Sequence, residues 1–120
     1  MYEGTFIDNI PLISVILKWG KQVETTAFVL DTGFTGDLQI TPEIAVYLGL
    51  KSKGVSKVQI ANGQIVDMSI ANVKATIEDV TKPVRATISN GMPLVGIEFL
   101  SRFGYTVIMD CKNKEIFLKK

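Results

Sequence analysis

"AFVLDTGFTGDL", residues 27–38, is where the chain declares itself: an apolar run stops at Asp31, and Thr32 and Gly33 follow at once. A carboxylate at the end of an apolar strand suits general acid–base work when a glycine beside it lets backbone come close and a hydroxyl can bond to a neighbour. Asp, Thr and Gly are also ordinary turn residues, so the tripeptide alone leaves a plain turn open. Two other chemistries that use a strand-end Asp fit less well. Actin-type phosphate-binding ATPases need Thr or Ser after the Asp-x-Gly, where this chain has Phe34, and aspartyl-phosphate hydrolases need a second Asp at the position of Gly33.

Composition narrows the chemistry further. The chain has 120 residues, 47% of them hydrophobic and 21% charged, which predicts one folded domain over residues 1–120. Thirteen basic and twelve acidic residues leave a net charge of +1, with no basic cluster, so no nucleic-acid partner is expected. There is no histidine, which removes Ser-His and Cys-His nucleophile pairs, imidazole zinc sites and histidine general bases. The single cysteine, Cys111, has no intrachain disulfide partner and points to a reducing, cytoplasmic setting. The first residues carry Glu3 and Asp8 and no basic stretch before the apolar run, unlike a secretion signal. Apolar runs are too short for a bilayer span, which needs about 20 residues, so no membrane partner is expected.

Periodicity reads mostly as short strands joined by turns, with two short helices. Ile13, Val15 and Leu17 share one face of "PLISVILKW", and "VETTAFVL" has apolar residues on both faces, as in a fully buried strand. "TPEIAVYLG" predicts a helix with Thr41 as N-cap, Pro42 at the first helical position and Gly49 at the stop. Residues 55–60 and 65–70 flank "ANGQ", in which Asn62-Gly63 signals a hairpin. The alternation of Val66, Met68 and Ile70 slips phase before Val73, Ala75 and Ile77, which predicts a bulge or break near Ala71-Asn72. "KPVRATISN" and "MPLVG" read as strands, and "IEFLSRFG" as a helix with Phe99 and Phe103 stacked and Gly104 as its stop. "YTVIMD", the turn "CKNK" and "EIFLKK" predict a closing hairpin. Each half thus runs from an apolar strand through a Gly to a short helix, and Asp31-Thr32-Gly33 answers Leu94-Val95-Gly96 in an internal pseudo-twofold.

One hydrolytic mechanism survives the missing histidines. Two facing carboxylates cannot both ionise, so they share a proton; one then activates a water while the other protonates the substrate carbonyl. That chemistry needs no thiol, metal or cofactor. "FVLDTG", followed by "PLVGIEFLSRFG" and a closing hairpin, resembles the retropepsin-like aspartic peptidases, and the "DTGF" spelling is similar to a group of small bacterial and archaeal members. The resemblance spans roughly residues 10–118 and implies an all-β, closed barrel-like fold in which a homodimer completes the dyad. It implies Asp31 as the catalytic carboxylate, Thr32 as the residue whose hydroxyl bonds across the dyad, and Gly33 against the substrate backbone. It puts Phe34, Val95 and the hairpin residues Ala61, Asn62 and Gly63, where the family has its flap, against a bound peptide or protein substrate.

The sequence departs from the family pattern in three places. Phe34 stands where Ala or Ser is usual, and "ANGQ" replaces a run of glycines. Thr35 and Ile97 occupy the positions at which the retroviral enzymes pair an acid with an Arg, so that tie is missing. Asp110, the other Asp closing an apolar strand, is followed by Cys111-Lys112 and reads as a turn residue, so one chain carries half a dyad. The end segments "EGTFI" and "EIFLKK" read as strands with free edges, open to an intersubunit sheet. The alternative is a non-catalytic peptide-binding or dimerisation module on the same fold, which the bulk of Phe34 motivates.

Overall fold

The computed structural model describes residues 1–60 and 62–120. Among the described residues, eleven strands and two helices follow one another. They are β1 (Tyr2–Glu3), β2 (Thr5–Ile7), β3 (Ile10–Trp19), β4 (Gln22–Leu30), β5 (Leu38–Ile40), α1 (Pro42–Leu48), β6 (Val55–Gln59), β7 (Ile65–Ile77), β8 (Val80–Ile88), β9 (Leu94–Val95), α2 (Ile97–Arg102), β10 (Thr106–Asp110) and β11 (Glu115–Lys119). The fold is mainly β, as expected. None of the described helices is long and apolar enough to cross a membrane.

The main sheet closes on itself. Its strands run in the order β2-β3-β4-β9-β5-β8-β7-β6, and β7 also pairs with β3 through Ile16↔Thr76, Leu17↔Ala75 and Lys18↔Lys74. From β3 through β4, β9, β5, β8 and β7 the strand pairing therefore returns to β3, so the sheet forms a closed circuit. Inside lie Ile13, Val15 and Leu17 of β3, Phe28 and Leu30 of β4, and Val73, Ala75 and Ile77 of β7, all buried. Phe99 of α2 is wholly buried and stacks on Phe103 with ring centroids 4.4 Å apart.

Local chemistry explains the helix and turn positions. The Thr41 hydroxyl accepts from the Ile44 N–H at 3.2 Å, Pro42 begins α1, and Gly49 ends it at φ 74°, all as expected. Around Asn62-Gly63 the chain does form a hairpin. Ile60 and Gln64 are its last bonded pair, and Gly63 at φ 86° donates to the Ile60 carbonyl, so the connection is one residue longer than a two-residue turn. Asp110 does cap the turn of the closing hairpin, accepting from the Asn113 backbone at 3.0 Å and its side chain at 2.8 Å. Those two bonds hold its carboxyl below the ordinary range.

Three expectations are corrected. No bulge interrupts β7, which pairs continuously with β6 from Ile65 to Ser69 and with β8 from Ile70 to Ile77. The phase slip is real but has another cause: the strand changes partner at Ile70, and the covered face changes with it, from Val66 and Met68 to Ala71 and Val73. β4 is not buried on both faces, because Thr26, Phe28 and Leu30 point inward while Ala27 is exposed. Nor is β11 free for a partner chain. It lies between β1 and β10 in a separate sheet, with Tyr2↔Leu118 on one side and Val107↔Leu118 on the other; β1 and β2, over which the "EGTFI" segment runs, do stand at sheet edges, with β2 paired to β3 on one side.

The terminal sheet is tied to the barrel by a tyrosine. Tyr105 donates to Glu78 at 2.6 Å, and Glu78 sits in the two-residue β7–β8 turn at φ 50° beside Asp79 at φ 64°. Burial first, and then the bond to Glu78, pushes the Tyr105 phenol above its ordinary value near 10. A phenol that keeps its proton longer in the folded state adds stability that is full below pH ~10 and is lost as pH rises towards the folded value. Thermal melts should thus show Tm falling above pH ~10, with a shallower alkaline fall in Tyr105→Phe; identical alkaline slopes in the two proteins would refute the assignment.

Candidate functional site

Asp31 lies where two parallel strands end side by side. β4 and β9 pair in parallel through Val29↔Leu94 and Leu30↔Val95, and the Asp31 N–H donates to the Val95 carbonyl at 3.1 Å. β5 then returns beside β9, antiparallel, through Leu38↔Val95 and Gln39↔Leu94. Asp31 and Val95 are thus brought together by backbone pairing. The Asp31 carboxylate is half-exposed and accepts the Gly33 N–H at 2.9 Å. A Cβ at position 33 would stand 3.2 Å from that same oxygen, so glycine keeps the carboxylate uncrowded.

The loop after Asp31 doubles as the cap of α2. The first N–H groups of a helix have no partner within it. Here Ile97 donates to the Phe34 carbonyl at 3.0 Å, and Glu98 to the Thr35 and Gly36 carbonyls at 3.2 Å each. The fit leaves no room at Gly96, where a Cβ would collide with the Phe34 and Gly36 carbonyl oxygens and the Phe34 ring. The Phe34 ring also covers Gly36, with its edge 2.8 Å from where a Cβ would be. The bulky residue after the Asp-Thr-Gly is therefore accommodated by two glycines, one in the loop and one at the helix start.

Asp37 closes this arrangement. Its side chain is 1% exposed. Arg102, in the last turn of α2, donates from Nε to Oδ1 and from Nη2 to Oδ2, each at 3.1 Å, and the Arg85 backbone N–H on β8 donates to Oδ2 at 3.0 Å. The two parallel guanidinium bonds have the fork geometry that makes Arg–carboxylate pairs strong. The missing tie at Thr35 and Ile97 is thus replaced by one made farther along both segments. Sequence reading passed over Asp37, Arg102 and Arg85. The available signals were an acid entering an apolar strand and an Arg in a last helical turn, but the bonded groups lie 65 residues apart.

A cleft of about 640 Å³ opens in front of Asp31. Its lining includes Gly33 and Phe34 of the loop, residues 56–60 of the β6–β7 hairpin, and Arg85, Thr87 and Leu94. Val95, expected at the cleft, is wholly buried; strand alternation turns Leu94 to the cleft instead. Thr32 is exposed. Asn62 and Gly63 are exposed at the tip of the hairpin, and Ala61 lies outside the described residues.

Two substitutions test this construction. Arg102→Leu leaves the Asp37 charge buried with one donor, and should cost about 3 kcal/mol in urea unfolding; a loss within error of zero would mean that the ion pair does not organise the loop. Gly96→Ala should cost about 2 kcal/mol through overpacking, read in the same assay, whereas Gly20→Ala meets no neighbouring atom and differs only in its turn strain.

No family model matches the sequence, and no curated protein matches it. Solved structures do match. EIAV protease, complexed with the inhibitor HBY-793, superposes with a TM-score of 0.70 at 14% identity, over 86% of this chain and 96% of that one. A retropepsin-like aspartic protease from Rickettsia conorii superposes with a TM-score of 0.67 at 18% identity, over 98% of this chain and 87% of that one. With its paired motif strands, closed sheet and loop-capped helix, this chain has the fold of the retropepsin-like aspartic proteases.

Proposed function

We propose that residues 1–120 form one subunit of a homodimeric aspartic endopeptidase. The observation that carries this reading is the half-exposed Asp31 carboxylate, oriented by the Gly33 N–H and lining one cleft with residues 56–60 of a β-hairpin. Peptidase relatives of the same fold support it. Asp31 and its symmetry mate share one proton. The ionised carboxylate takes a proton from a water as the oxygen attacks the scissile carbonyl carbon, and the protonated one gives its proton to the carbonyl oxygen. The resulting gem-diol collapses when a proton returns to the amide nitrogen, which leaves as an amine. No metal or cofactor enters the cycle.

Each neighbouring residue has a part in this scheme. Thr32, exposed beside the carboxylate, bonds across the twofold and locks the two loops together. Gly33 and Leu94 face the substrate, and Phe34 forms an apolar wall. The β6–β7 hairpin serves as a flap, with Ala61, Asn62 and Gly63 closing over an extended peptide and excluding water. C2 symmetry presents the same face of both subunits to each other. The exposed single thiol of Cys111 suits a reducing, cytoplasmic setting.

Cleavage of a diverse peptide library over a range of pH and protein concentration tests the proposal. Wild type should turn over peptides with a rate that rises more than linearly with protein concentration near the dimer dissociation constant, and Asp31→Asn should lose at least about 1,000-fold in kcat/KM. A demonstrably dimeric wild type that cuts nothing between mildly acidic and neutral pH, yet retains peptides, would instead favour the binding-module reading.

A further inference from the structure

We propose that Arg85 is a specificity-determining residue that selects peptides with an acidic side chain at one fixed position from the scissile bond. This rests on the peptidase reading for the position of the bond, but not for the recognition itself. Among the described residues, four charged ones line the cleft: Asp31, Asp37, Lys57 and Arg85. Asp31 is reserved for chemistry. Asp37 is held by Arg102 on both oxygens and is buried, so it presents no free charge to a ligand. Lys57 reaches Asp67 at 3.2 Å across the hairpin. Among the described residues, no carboxylate lies within 4.0 Å of the Arg85 guanidinium. Among the described residues of the cleft, Arg85 is thus the cation that has no carboxylate partner.

The strand around Arg85 makes that cation a fixed feature. Val84 and Ala86 point into the core, so alternation turns Arg85 to the opposite, cleft-facing side of β8. Its backbone is held from both directions: Arg85 pairs with Asn72 on β7, its N–H bonds to Asp37, and the next residue, Ala86, pairs with Leu38 on β5. A site on a sheet positions its side chains better than one on a loop.

Arg85 also stands at a junction. Together with Thr35, Gly36 and Asp37 it lines a second groove of about 520 Å³, which continues from the main cleft past Asn72 and Pro83. Arg85 belongs to the lining of both, so an extended peptide running from Asp31 into that groove passes this residue. The planar fork of Arg matches a carboxylate with two parallel hydrogen bonds, which sets direction as well as charge. Lys57, on the facing wall, has an exposed ion pair with Asp67, of the kind worth little, and can turn to the same ligand carboxylate.

The test uses the full-length protein in two measurements on one peptide library. Cleavage-site profiling of wild type should show Asp or Glu enriched at a single position relative to the cut. Arg85→Ala should lose about tenfold in kcat/KM for those peptides, chiefly through KM. Arg85→Lys should retain part of the preference, and Arg85→Glu should move it to Lys or Arg. Equilibrium binding of the same library to Asp31→Asn and Asp31→Asn/Arg85→Glu reads the recognition without turnover. Because the side chain of Arg85 takes no part in the bonds to Asp37, thermal melts of the Arg85 variants should stay close to their parents and separate unfolding from altered choice. If wild type cuts nothing while Asp31→Asn binds acidic peptides in an Arg85-dependent way, the peptidase reading fails and this one stands. Absence of acidic enrichment in both measurements, or enrichment unchanged by Arg85→Glu, overturns it.

Discussion

Taking the Asp37 carboxylate out of water costs several kcal/mol unless its lone pairs find donors, and here the donors come from two distant parts of the chain. Arg102 arrives on the C-terminal helix and the Arg85 N–H on a strand of the closed sheet. Because Asp37 ends the loop that begins at Asp31, satisfying this one carboxylate fixes where the loop runs. The loop carbonyls in turn cap α2, and the Gly96 N–H bonds to the Asp37 carbonyl at 3.0 Å. Side-chain and backbone demands are thereby met by one geometry. The half-exposed Asp31 needs no strain to stay in place, since its own N–H and the Gly33 N–H are both already bonded.

The closed circuit of strands explains why so short a chain can hold such a site. β7 is 13 residues long, enough to pair with β6 at one end and with both β8 and β3 at the other. Its first half stands away from the core, paired with the strand that walls the cleft. Its second half buries Val73, Ala75 and Ile77 in the core. One strand thus joins the hairpin to the core. The terminal sheet does something different. By pairing β1 with β11 inside the chain, it satisfies the ends locally, so the edges it leaves open are the two-residue β1 and the outer side of β10.

Where the sequence reading erred, the cause was the surroundings of a strand rather than its residues. "VETTAFVL" has apolar residues at both phases, yet only one face of β4 meets the core, and nothing local distinguishes Ala27 outside from Phe28 inside. The slip after Ile70 looked like a bulge because a change of covered face and an inserted residue leave the same trace in an alternation pattern. The β7–β8 turn went unrecognised because Glu78 and Asp79 both take positive φ without the Gly that usually marks such turns. Val95 was placed at the cleft and Leu94 overlooked, since a strand two residues long carries too little pattern to assign its faces.

Local chemistry was legible in the residues themselves. The caps of α1, the stacked Phe99 and Phe103, the hairpin at Asn62-Gly63 and the strand-end position of Asp31 each depend on neighbours within a few positions, where spacing and side-chain type suffice. The missing histidines likewise limited the chemistry without any coordinates. Tertiary structure alone decided that Asp37 is buried and must be paired, that Gly96 is a point of contact between backbones, and that Arg85 is left facing the cleft with its charge uncommitted. These properties belong to pairs of groups far apart in the chain. Burial and electrostatic pairing exist only once folding brings such groups together, so no window of sequence contains them.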